Sequence, residues 1–143
     1  MEYQKSSHAT YDVRYHIVWI TKYRNPFMTE EIQKRLENII KWICKKVWVI
    51  IIKIWFEEDH VHMYCRIPVT KPISAVIWYI KWSSSKAIKS YFYNEIKKWY
   101  WKTGSIWAVW YFVASVWEIN WEIIANYVEN QWQEENMIEK IEL

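Results

Sequence analysis

Glycine is almost missing from this chain. Gly104 is the only one among 143 residues, where average usage of about 7% would supply roughly ten. Tryptophan goes the other way, at 13, and several indoles stand where backbone geometry asks for glycine. Trp48 follows a helix-like stretch and Trp132 follows Gln131, both places where a left-handed residue closes a helix. Cysteine is scarce as well. Cys44 and Cys65 are too few for a disulfide framework, which points to a reducing cytoplasm. No apolar run approaches the roughly 20 residues of a membrane span, and the polar start Met1-Glu2-Tyr3-Gln4-Lys5-Ser6-Ser7 lacks the pattern of a signal peptide.

The formal charge of +3 conceals a division. Residues 1–104 hold 18 Lys/Arg against 9 Asp/Glu, whereas residues 105–143 hold one lysine, Lys140, against seven glutamates. A basic body suits a polyanionic partner, and abundant aromatic rings offer surfaces on which bases stack. A lysine-rich solvated face has the same composition, so charge alone does not choose.

Strict alternation over residues 11–20 predicts a strand. Thr29 followed by Glu30-Glu31 is a helix start, with a capping hydroxyl and acids at the positive end of the dipole. Ile32, Leu36, Ile39, Ile40 and Ile43 then recur at helical spacing to about residue 46. Residues 49–56 are dense in β-branched side chains and predict a largely buried second strand. Glu57-Glu58-Asp59 turns it into a third over 60–67. A second helix is expected from Ile73 towards Tyr93, a loop over 97–105, a fourth strand over 111–116 and a final helix over 120–131. Residues 132–143 form an acidic tail. The order predicts one α+β domain, a ferredoxin-like β-α-β-β-α-β antiparallel sheet with an additional C-terminal helix that carries Tyr127. That fold hosts many functions and names none.

Chemistry is concentrated in two places. His60 and His62 are i and i+2 on a strand, so both imidazoles leave one face with Tyr64 and Arg66, opposite Val61, Met63 and Cys65. Two neighbouring imidazoles suit a divalent metal but need one or two more ligands. Two solvated histidines would look the same, and Asp59 before them either orients an imidazole through a hydrogen bond or, the preferred reading, is simply turn chemistry. On the final helix Tyr127 and Gln131 fall within about 40° of each other, on the inward stripe with Ile123 and Ile124. An inward tyrosine is ordinary; an inward glutamine needs partners for its amide.

Taken together, these segments resemble a known family. Tyr15-His16-Ile17-Val18-Trp19-Ile20-Thr21-Lys22-Tyr23-Arg24, then Asp59-His60-Val61-His62, then Tyr127-Val128-Glu129-Asn130-Gln131 resemble the single-tyrosine HUH transposases of small bacterial and archaeal insertion sequences. The likeness runs over residues 11–131. It implies that His60 and His62 bind magnesium or manganese with Gln131 as third ligand. It also implies that Tyr127 attacks a scissile phosphate in single-stranded DNA, leaving a 5′-phosphotyrosine and a free 3′-hydroxyl. Family members read hairpins at transposon ends and work as homodimers whose subunits share active sites. Arg14, Lys22, Arg24, Lys81, Lys86 and Lys89 are then candidates for contact with the DNA backbone. Where the family tends to carry glycine, this chain has Trp82, Trp110 and Trp117, the last at a joint where an indole restricts a swinging helix. A non-catalytic single-stranded nucleic-acid binder is the alternative, but such a protein needs neither the histidine pair nor Tyr127 and Gln131. A metal-dependent phosphohydrolase would not need Tyr127.

Overall fold

A computed structural model describes residues 4–5, 10–11, 13–100, 104–116, 126 and 129–130. Strand β1 spans Arg14–Thr21. Tyr11, expected within it, belongs instead to Thr10–Tyr11, which pairs with Gln4–Lys5 in a separate short ribbon. Helix α1 spans Glu30–Lys46 and starts as its sequence requires, with the Thr29 hydroxyl accepting from Ile32 N and two acids in the first turn. Ile32, Leu36, Ile40, Ile43 and Cys44 form its buried stripe. Its end is a Schellman closure: Val49 N donates to Cys44 O at 2.9 Å, Trp48 N donates to Lys45 O at 3.4 Å, and Trp48 has φ 62°. A left-handed tryptophan thus fills a place that favours glycine. Trp132 and Trp117 lie outside the described residues.

Strands β2, Ile50–Phe56, and β3, His60–Arg66, follow as a hairpin. Helix α2 covers Ile73–Tyr91 and a short α3 covers Tyr93–Lys97. The second helix was expected to run towards Tyr93; Phe92, at φ −122° and ψ 45°, breaks it, and α3 begins in its place. Strand β4 spans Trp107–Ser115. The sheet order is β2-β3-β1-β4 and every pairing is antiparallel, the arrangement of a ferredoxin-like α+β fold. Of the terminal helix expected over 120–131, only residues 126, 129 and 130 are described, and these are helical. Among the described residues no helix is long and apolar enough to cross a membrane.

Two expectations about the edge strands need correction. Strand β2 is not largely buried: it is an edge, and Ile50 and Ile52 are 48% and 43% exposed. β-branched composition marks extended backbone without saying how many neighbours it has. Strand β4 starts at Trp107 and not at 111, because two steps along β1, Trp19 to Thr21, face four along β4, Tyr111 to Trp107. The bulge interrupts the two-residue period that a sequence reading follows.

The sheet has two unequal faces. Ile17, Trp19, Val61, Met63 and Cys65 point to the helices and join Leu36, Ile40, Ile77 and Ile80 in the main core. On the other face Val18, Ile20 and Ala108 make a small apolar cluster with Trp110 and Phe112 packed against it. His16, His62 and Tyr64 share that second face and are themselves buried. Both cysteines are free and buried, and burial raises their thiols, Cys44 to about 12.

Candidate active site

The β2–β3 turn delivers His60 and His62 to the sheet face away from the helices, as alternation requires. Their ring centroids are 4.9 Å apart, with planes at 70°. Asp59 does more than turn the chain: its Oδ1 lies 2.7 Å from His60 Nδ1. Its other oxygen accepts from Arg24 Nε at 2.8 Å, and the outer nitrogens of Arg24 reach Glu129 at 2.9 and 3.4 Å. Burial pushes the Asp59 carboxyl up. The hydrogen bond and charge of His60 and the Arg24 guanidinium outweigh it, so the group stays below its ordinary value.

Arg24 reaches this position through unusual backbone. Tyr23 and Arg24 are consecutive left-handed residues, at φ 59° and 56°, each costing roughly 1–2 kcal/mol for a residue with a Cβ. Neighbouring hydrogen bonds hold the strained turn: Thr21 N to Asp59 O at 2.9 Å, Lys22 N to Ile106 O at 2.7 Å, and Tyr100 OH to Lys22 O at 2.6 Å. Strain maintained by its surroundings is frequent at functional sites.

His62 is held differently. Its Nδ1 is 3.2 Å from His16 Nε2, and the Trp55 indole stacks on it at 4.6 Å with only 5° between planes. Burial lowers His62 to about 3, helped by the nearby charges of His60 and His16; burial alone lowers His16 to about 4. Both rings are therefore neutral near pH 7, as a metal ligand must be.

The donor chemistry fits a divalent cation. Where each Nδ1 carries the proton, facing Asp59 in His60 and His16 in His62, the remaining lone pair of the ring is on Nε2. Both rings line a cleft of about 550 Å³ with His16, Pro26, Trp55, Glu57, Glu58 and Asp59. Among the described residues no group of three or more His, Cys, Asp or Glu is arranged to hold a metal. The two imidazoles therefore need an outside ligand. Gln131, expected in that role, and Tyr127 both lie outside the described residues.

The basic candidates disperse. Arg24 joins the site, as above. Arg14 pairs across the strands with Arg66 and donates to Tyr64 OH at 3.4 Å. Lys22 lies over the Tyr23 ring, Lys86 is exposed over Trp82, and Lys89 donates to Gly104 O. Lys81, expected at a DNA-facing surface, is instead buried, at 9% exposure. Its ammonium donates to Ala108 O at 2.6 Å and Val109 O at 3.0 Å, satisfying carbonyls within the β4 bulge, and burial lowers it to about 8. His16 and Trp55 went unassigned in the sequence. Only the strand register, which sets Trp55 against His62 and places His16 on the same face, brings them to the pair.

Known proteins resemble this chain over most of its length. A family model described as "Transposase IS200 like" matches residues 9–131. The transposase for insertion sequence element IS200 of Salmonella typhimurium is 28% identical over 137 residues, covering 96% of this chain and 88% of that protein. The ISDra2 transposase TnpA of Deinococcus radiodurans is 25% identical over 135 residues, covering 94% and 95%. Among solved structures, a transposase candidate from Deinococcus radiodurans R1 superposes with a TM-score of 0.79 at 26% identity, over 90% of this chain and 97% of that one. A REP-associated tyrosine transposase bound to a REP hairpin shares the fold, with a TM-score of 0.53 at 14% identity, over 91% of this chain and 68% of that one.

Proposed function

The chain belongs to the IS200-like transposase family, and from that premise we propose that this DNA transposase cuts and rejoins single-stranded DNA through Tyr127, with His60, His62 and Gln131 holding magnesium or manganese. What carries this reading is the imidazole pair, 4.9 Å apart, with both Nδ1 edges engaged.

In the proposed reaction the phenolic oxygen of Tyr127 bonds to the scissile phosphorus as the bond to the 3′ oxygen breaks. The phenol loses its proton and the departing 3′ oxygen gains one. A phenol with a pKa near 10 is a weak nucleophile at neutral pH; the bound cation supplies Lewis acidity at the phosphate. Asp59 keeps His60 in the tautomer whose Nε2 ligates. With His16 Nε2 as the acceptor, His62 would present its Nε2 in the same way, while Trp55 fixes the plane of that ring. Because the phosphotyrosine preserves the energy of the broken bond, a second 3′-hydroxyl can reverse the step and join strands without ATP.

The proposed substrate is DNA bearing hairpins at transposon ends, the kind of ligand held by the tyrosine transposase solved with a REP hairpin, in the cytoplasm. The basic body suits it. A homodimer is supported by β4, an edge strand of nine residues without a charge, on which Val109 is 94% exposed. Such an edge is a template for pairing with another copy. Incubation with manganese and a single-stranded hairpin substrate is expected to give a denaturation-resistant protein–DNA adduct that Tyr127→Phe abolishes. Tight DNA binding by folded protein without any adduct would make it a non-catalytic binder.

A further inference from the structure

Arg24 occupies strained backbone, and its guanidinium bridges carboxylates from two separate parts of the chain. Nε donates to Asp59 Oδ2 at 2.8 Å; Nη2 and Nη1 reach the two oxygens of Glu129 at 2.9 and 3.4 Å. The other oxygen of Asp59 holds His60 Nδ1. An unbroken polar series therefore runs Glu129–Arg24–Asp59–His60. In the sequence Glu129 lies two residues after Tyr127 and two before Gln131. One side chain thus touches both the support of the metal-site imidazole and the stretch of chain that carries the nucleophile.

We propose that Arg24 is a positioning residue that docks the stretch around Glu129 onto the Asp59–His60 pair, so that a single guanidinium sets both ring orientation and the approach of the tyrosine segment. This rests on the reading of Tyr127 and Gln131 given above and assigns Arg24 a task other than contact with the DNA backbone. Lysine is no substitute. Its ammonium is a point charge, whereas the guanidinium presents one edge to Asp59 and another to Glu129 at fixed angles. The left-handed turn at Tyr23 and Arg24 serves to aim that fork.

Hydrogen exchange of the metal-free protein tests the docking directly, read by mass spectrometry on the peptide containing residues 126–130. Arg24→Lys and Glu129→Gln, the latter at an exposed side chain that leaves the core intact, are each expected to speed its exchange roughly three-fold, in keeping with a solvent-exposed ion pair. The double variant should be no faster than either single one, because both remove the same contact. Unchanged exchange in either single variant, or additive effects in the double, would overturn the proposal. A second readout separates docking from DNA contact. At saturating DNA, Arg24→Lys is expected to slow adduct formation several-fold with the half-saturating DNA concentration unchanged; weakened DNA binding with an unaltered rate would overturn it. Should an adduct persist in Tyr127→Phe while the exchange coupling holds, the docking stands and the catalytic reading alone falls.

Discussion

Acidification from about pH 7.5 to about pH 5 should destabilise the metal-free protein by roughly 2–4 kcal/mol, through two buried imidazoles. His16 and His62 are 1% and 7% exposed, and burial lowers them from 6.5 to about 4 and about 3. In the unfolded chain both recover the ordinary value. Between pH 6.5 and 4 the unfolded state thus binds more protons than the folded one. Stability is whole above pH 6.5 and falls as pH drops through that window. One proton is worth about 1.4 kcal/mol per pH unit, so 1.5 units below 6.5 cost about 2 kcal/mol per ring. The total at pH 5 hardly depends on where the folded values lie, provided they stay well below 5. Water in the open cleft screens part of the effect, which sets the lower figure. Urea unfolding in EDTA at the two pH values measures it, and His16→Gln, which keeps a polar partner for His62, should remove about half. Equal stability at both pH values, or greater stability in acid, would refute the placement of neutral rings in the fold.

Asp59→Asn keeps the size of the side chain but weakens its hold on His60 Nδ1 and its pairing with Arg24; manganese affinity by paramagnetic resonance should fall about ten-fold or more. Val109→Lys places a charge on the exposed β4 edge and should shift the protein from dimer towards monomer in sedimentation equilibrium, with little change in stability.

The α+β order was legible because hydrophobic period reports backbone type, and α1 was legible down to its Thr29 cap. The left-handed place of Trp48 was also visible, since a helix end demands it whatever residue stands there. The start of β4 was not, because a bulge breaks the period, nor was the break at Phe92, which no glycine or proline announces. At the site, alternation put His60 and His62 on one face. The partners that prepare them could not be read: His16, Trp55 and Arg24 are distant in sequence and meet the pair through strand register and a strained turn. Lys81 misled because a lysine in an amphipathic helix reads as solvated, while here two bulge carbonyls draw it inside.

The most direct measurement is to digest the DNA–protein adduct with nuclease and protease and locate the attached nucleotide by mass spectrometry. A 5′-phosphonucleotide is expected on the phenolic oxygen of Tyr127, formed only with divalent metal and lost in His62→Ala. An adduct on another tyrosine, or one that forms equally well without His62, would contradict the proposed reaction.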